Sequence, residues 1–238
     1  MIAGIISLLI GMGIPLAGGI CFLVRRDGTF LSFLAGVGSF VVSQLVLRIP
    51  ILSFLGTHSA SYAALMSSSI VISYGVAAFT AGLFEETGRL IGFSVFRKGR
   101  LSWMDTFAFG LGHGGIEAVW VMCQSQGVLA CVLNGMAELF PEQMLAVALE
   151  RLFAMMFHIG LTFVVMQGIR TGKKLRFWLL AVLIHAAVDF SLVVQNALVI
   201  WTVLVLFGLL SLGLSLSLRK KWRSEESVKE TGKSKIPQ

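Results

Sequence analysis

The sequence predicts an all-α protein, a polytopic bundle of about seven transmembrane helices with its N-terminus outside and its C-terminus in the cytoplasm. Four observations lead there. Mean hydropathy is +0.88, with 56% hydrophobic and only 13% charged residues, far more apolar than a soluble domain of 238 residues needs to be. Apolar runs of roughly 20 residues recur, each long enough as a helix to cross about 30 Å of hydrocarbon. The 26 glycines, with few prolines, suit close packing of such helices. The Lys and Arg residues, finally, gather between alternate runs.

Taken in order, the spans are expected at about 2–24, 30–49, 61–96, 103–123, 142–169, 177–195 and 197–217. The first has no basic residue before it and Arg25-Arg26 after it, so it reads as a true span and not as a cleaved signal peptide. The third is longer than a bilayer requires, which implies a break or a tilt. Between the fourth and fifth, Gly127 to Ala137 is too short to cross and suits a re-entrant or interfacial element, after which Pro141 fits the first turn of the fifth helix. Of the 19 basic residues, 16 follow spans one, three, five and seven; only Arg48 falls on the other side, and Arg89 and Arg151 lie within spans. That bias sets the orientation. Residues 1–218 therefore form one transmembrane domain with its motif-bearing core at about 80–190, and 219–238 form a polar, disordered cytoplasmic tail. The start of the tail, Arg219-Lys220-Lys221-Trp222-Arg223, suits contact with anionic lipid. The expected location is a bacterial cell membrane.

The net charge of +7 is distributed between spans and in the tail, which argues against nucleic acid as a partner. Cys21, Cys123 and Cys131 lack C-x-x-C spacing and offer no thiolate metal site; buried free thiols are expected, with a Cys123–Cys131 pair as the alternative.

The stretch Phe84-Glu85-Glu86-Thr87-Gly88-Arg89 puts three ionisable side chains inside an apolar run. Each charge near a bilayer midplane costs roughly 2.5–3.5 kcal/mol on insertion scales, so such a stretch marks a functional site by default. His113, His158 and His185 each fall in a different later span, whereas His58 is expected in an outside loop. Counted from the basic end of its span, Glu85 is 12 residues from Arg97, His113 is 12 from Leu101, His158 is 12 from Arg170 and His185 is 9 from Arg176. At about 1.5 Å per residue, all four lie roughly 13–18 Å deep. His113 and Glu117 are one helical turn apart, as are His185 and Asp189, and Glu150 lies two turns from His158 on the same face.

A single group of this kind is readily explained as a buried structural pair, such as Arg89 with Glu85 or Glu86, or Arg151 with Glu150. Three coplanar histidines with two acids a turn away and a glutamate pair point instead to one site. Neutral imidazoles are common zinc ligands, and catalytic zinc takes three protein ligands and a water. A nearby carboxylate then acts as general base on that water, and the peptide bond is the obvious scissile bond within a membrane. Glu85, Glu86 and Arg89 are the candidate catalytic residues; His113, His158 and His185 are the candidate ligands of a divalent metal, zinc first; Glu117, Glu150 and Asp189 are supporting or alternative ligands. For the site to assemble, spans three to six should be central, and one, two and seven peripheral.

In the order Glu85-Glu86-x-x-Arg89, Gly112-His113-x-x-x-Glu117, Glu150-Arg151 with Phe157-His158, and His185-x-x-x-Asp189, the chain resembles the YhfC family of intramembrane metalloproteases. These are relatives of PrsW and of the CAAX prenyl-protease and bacteriocin-processing superfamily. The resemblance covers roughly residues 80–190. It implies a glutamate of the first motif activating water, Glu85 with Glu86 as its alternate, while the histidines place the water, a metal or the oxyanion. The CAAX-protease branch has one more residue before its arginine and usually ends its last motif in asparagine; Glu-Glu-x-x-Arg and Asp189 place this chain nearer the PrsW side. The expected activity is hydrolysis of peptide bonds in membrane-associated peptides or proteins. Two other classes stay open at this point: a proton- or cation-coupled transporter, since chains of Glu, His and Asp also build proton relays, and an inert scaffold or immunity protein of the same fold.

Overall fold

The structure, a computed structural model, describes residues 1–124 and 127–233. Its regular structure among these is helical throughout. Helix α1 is Ile2–Arg25 and α2 is Thr29–His58; a short α3, Ala60–Ser68, meets α4, Ile70–Phe96, at a bend of 113°. Helices α5, Trp103–Cys123, and α6, Val128–Leu133, lead to α7, Pro141–Arg170, followed by α8, Lys174–Val194, and α9, Ala197–Lys233.

Local sequence explains the boundaries. Arg26 turns α1 off in the left-handed region (φ 54°), and Gly28 enters α2 at φ 86°, a value that costs glycine nothing. The α3–α4 bend falls at Ser69, whose extended backbone breaks the helix while its hydroxyl accepts the N–H of Val71 to start the next. The long third apolar run is thus a broken one. Ser102 caps α5 through the N–H of Asp105, and Pro141 sits in the first turn of α7.

Helices α1, α2, α7, α8 and α9 are long and apolar enough to cross a membrane, and the bent pair α3–α4 makes a sixth candidate. The protein is a multi-pass integral membrane protein. The expected fourth span, α5, has the length at 21 residues but not the apolarity, because it carries Asp105, His113 and Glu117 and buries most of its surface against neighbours. It occupies the centre, between α2 and α7. Its approach to α2 is so close that a Cβ on Gly36 would sit 2.0 Å from the Phe109 carbonyl oxygen, and one on Gly112 would sit 2.1 Å from that of Phe33. Only paired glycines let two helix backbones meet there.

Several expectations change. Helix α2 does not end near residue 49 but runs to His58, which closes the helix stacked on Phe54; α2 is also part of the central packing, not peripheral. The last helix continues past Leu218 to Lys233, so the first part of the expected irregular tail is helical, and 234–238 lie outside the described residues. Trp222 faces the protein at 1% exposure, against Phe163 and under the Arg170 guanidinium at 4.1 Å, because an indole face can take both an aromatic and a cation. The three cysteines are free, as expected, but Cys21 and Cys123 are exposed and Cys131 is half-buried.

Candidate functional site

Helix α4 delivers Glu85, Glu86 and Arg89, all buried, on adjoining turns of one face. Arg89 divides its donors. Its Nε pairs with Glu86 Oε2 at 3.0 Å, while Glu85 Oε2 is 3.9 Å from Nη2. Across the interface, Arg89 Nη1 donates to the His158 carbonyl and to Thr162 Oγ1, both at 2.8 Å, and Nη2 lies 3.0 Å from His158 Nδ1. Arg89 therefore locks α4 to α7 and neutralises Glu86 more closely than Glu85.

The structure brings Glu85 together with all three membrane histidines. Glu85 Oε2 is 2.9 Å from His113 Nε2, 3.7 Å from His158 Nδ1 and 4.0 Å from His185 Nε2. Ring centroids of His113 and His158, and of His158 and His185, are each 5.3 Å apart. Partner chemistry assigns the tautomers. A guanidinium only donates, so His158 Nδ1 turns its lone pair to Arg89, and its Nε2 lies 2.5 Å from Glu117 Oε2. An ionised carboxylate only accepts, so His185 Nδ1–H donates to Glu86 Oε1 at 2.8 Å, while Nε2 faces Glu85 Oε2 at 4.0 Å and Asp189 Oδ2 at 3.7 Å.

His113 engages both ring nitrogens, Nε2 with Glu85 and Nδ1 with Ser39 Oγ at 2.8 Å, and so does His158, Nδ1 with Arg89 Nη2 at 3.0 Å and Nε2 against Glu117 Oε2, so it is distance that separates them. Glu85, His158 and His185 instead offer ligand atoms that all lie within 4.8 Å of one another. Four-coordinate zinc with bonds of about 2.0–2.1 Å separates its ligands by roughly 3.3 Å, so these donors need only a modest contraction. Each histidine of this set also rests its other N–H on a carboxylate, Glu86 or Glu117, the outer-shell arrangement that fixes a metal-binding imidazole. Five carboxylates, Glu85, Glu86, Glu117, Glu150 and Asp189, face three guanidinium groups, Arg48, Arg89 and Arg151. With all five ionised and the imidazoles neutral, the formal surplus is two negative charges, which a divalent cation would offset. The residues present fit a metal.

The supporting acids separate. Glu117 Oε1 accepts from Arg151 Nη1 at 2.9 Å, tying α5 to α7. Glu150 pairs with Arg151 and, among the described residues, makes its contacts there and not with the histidines. Asp189 Oδ2 lies 3.7 Å from His185 Nε2 with its side chain 36% exposed, the most open carboxylate bordering the cluster.

Ser39, Gln44, Arg48 and Thr162 touch the cluster without having been singled out in the sequence. Gln44 and Arg48 are a turn apart in an apolar helix, the same signal that marked His113 and Glu117, but a span ending near residue 49 left Arg48 at its edge. Beside the site, an apolar cavity of about 620 Å³ opens between α2 and α4, walled by Leu34, Val42, Leu83, Phe84, Ile91 and Phe96, with Ser39 in its lining.

Comparison with known proteins identifies the family. The model of the YhfC intramembrane metalloprotease family matches residues 7–137 and 121–209, nearly the whole helical body. Over 139 residues the chain is 32% identical to a protein of Bacillus subtilis (strain 168) named uncharacterized membrane protein YhfC; the match covers 48% of this chain and 54% of that relative, so it spans about half the relative's length. No solved structure matches. The chain belongs to the YhfC intramembrane metalloprotease family.

Proposed function

We propose that the protein is a metal-dependent intramembrane endopeptidase that hydrolyses peptide bonds of membrane-associated peptides or proteins, with zinc held by Glu85, His158 and His185. The convergence of these three donors, with a carboxylate behind each imidazole, carries the reading. Two imidazoles and one carboxylate form a known donor set of catalytic zinc, which leaves a coordination position open. Bound there, the metal would polarise a carbonyl and lower the pKa of water to about 7.

The remaining roles belong to the chain's own groups. Glu86 and Glu117 brace one ring nitrogen each of His185 and His158, and the metal would take the place of the Arg89 N–H that faces His158 Nδ1. His113 Nε2–H and Arg89 steady Glu85 and Glu86. In this reading Glu85 is a ligand and not the base, and Glu86 is too closely tied to Arg89 and His185 to move a proton. Asp189, open and beside His185 Nε2, is the carboxylate placed to accept a proton from water and return it to the leaving amine. The cavity between α2 and α4 supports a substrate that arrives from within the bilayer.

Zinc analysis of the detergent-purified protein tests this directly. We expect about one zinc per chain, lost in His158→Ala and His185→Ala but kept, at roughly 10–100-fold lower affinity, in His113→Ala. Equal loss in all three would restore the three-histidine ligand set; no zinc in the wild type would sink the metal mechanism and favour the proton-relay class. We also propose seven spans, counting α5 and the α3–α4 pair, with the N-terminus outside. A reporter active only outside the membrane should then give signal after Ser59 and none after Gly172, and the reverse would invert the orientation.

A further inference from the structure

Glu85 uses its two oxygens differently. Oε2 faces the histidines, while Oε1 is 2.5 Å from Gln44 Nε2 on α2. An amide can present either its oxygen or its NH₂, and Arg48 decides which. Arg48 Nη1 lies 2.9 Å from the other end of the Gln44 amide, and a guanidinium has no acceptor, so that end must be oxygen and the NH₂ must point to Glu85. Arg48 is itself fixed, with Nη2 donating to the Ala77 carbonyl at 2.7 Å and Nε to Thr80 Oγ1 at 3.1 Å, both on the helix that carries Glu85. Across Val41–Arg48 helix α2 widens to i→i+5 hydrogen bonding, a distortion common at functional sites.

We propose that Gln44 and Arg48 form a positioning pair that holds Oε1 of Glu85 outward, so that the carboxylate binds the metal through Oε2 alone. The consequence for metal binding rests on the function proposed above; the pairing itself does not. Were Oε1 free to rotate inward, both oxygens would compete for one coordination position and the open position would shrink. Removing outer-shell partners of this kind typically costs 10–100-fold in metal affinity.

The test uses the full-length protein in detergent and two measurements. Zinc affinity, by competition with a chelator, is compared for wild type and Gln44→Met, which keeps the length of the side chain and removes its N–H donors. Thermal unfolding of the chelator-treated protein is compared for Gln44→Met, Glu85→Gln and the double variant. We expect zinc binding 10–100-fold weaker in Gln44→Met, together with non-additive unfolding midpoints, the double variant lying no lower than the worse single variant. Wild-type zinc affinity in Gln44→Met overturns the positioning role. Weakened zinc binding with additive midpoints overturns it as well, because the effect would not run through Glu85. A wild type that binds no zinc defeats the proposed function, and the midpoints alone then decide whether Gln44 and Glu85 are coupled.

Discussion

Asp105 and Glu85 are both buried carboxylates, on neighbouring helices of one bundle, and their surroundings are opposite. Asp105 Oδ1 takes Ser32 Oγ–H at 2.6 Å, Arg100 Nε–H at 3.0 Å and Arg97 Nη2 at 3.6 Å, while Oδ2 takes Ser102 Oγ–H at 2.6 Å. Every partner is a hydroxyl or a guanidinium. Through Arg97 to the Gly28 carbonyl and Arg100 to the Asp27 carbonyl, the network ties the α1–α2 turn to the start of α5. Its charges are spent on closing loops. Glu85 instead meets imidazoles, which keep a lone pair when neutral and rest on further carboxylates, leaving a surplus of negative charge. Burial of a charge is therefore not what marks a site; what matters is whether its partners can only donate or can also bind.

The largest effect expected from this contrast is on chemistry at Glu85. Glu85→Gln should reduce bound zinc and lower cleavage of a membrane-peptide substrate by more than the roughly 10–100-fold that losing an outer-shell partner costs, because it removes a metal ligand. Membrane levels of the protein should stay near normal, since one charge fewer is buried. Cleavage within a few-fold of wild type would place Glu85 in the same class as Asp105.

Asp105→Asn should do the converse. Losing one partner of a buried ion pair commonly costs about 3–5 kcal/mol, but Arg100 is 40% exposed and water screens it, so about 1–3 kcal/mol is the better expectation. The unfolding midpoint in detergent should fall by several degrees while zinc per chain stays at the wild-type value. Loss of zinc without loss of stability would erase the distinction between the two networks.

Much of the Glu85 network was legible in the sequence, whereas Asp105 was not singled out, and the gaps have physical causes. Ionisable residues interrupting apolar runs stand out because they are costly in hydrocarbon, and equal distances from the basic ends put Glu85, His113, His158 and His185 in one layer. The structure brings the same four together. Ser39 and Gln44 stayed hidden because uncharged polar groups are cheap enough in a membrane helix to carry little signal on their own. How the histidines divide was not readable either, since the partner each ring nitrogen meets depends on Ser39, Glu86, Arg89 and Glu117, spread over three helices. Helix α5 was expected as an ordinary span, yet its glycines serve to draw α2 and α7 in so closely that its own polarity is shielded.

The smallest expected effect lies at Asp27, in the turn that the Asp105 network holds. Asp27 Oδ1 accepts Thr29 Oγ1–H at 2.6 Å and Thr29 N–H at 3.0 Å, and Oδ2 accepts from Arg25 at 2.8 Å. The Thr29 hydroxyl, above all, holds this carboxyl down from its ordinary 3.8 to about 2, with the Thr29 N–H and Arg25 adding to it. Because the folded value lies below the unfolded one, the stabilisation is fully present above about pH 4 and is lost as pH falls through about 2. A local side-chain to backbone hydrogen bond of this kind is worth about 0.5–1.5 kcal/mol, and Asp27, being 39% exposed, belongs at the low end. Asp27→Ala should therefore lower the unfolding midpoint by a degree or two at pH 7, leave zinc content untouched, and converge on the wild type by about pH 2. If the difference between the two proteins were the same at pH 2 as at pH 7, the ionised carboxylate would not be its source. The turn would then be held by the guanidinium–carbonyl contacts of Arg97 and Arg100 alone.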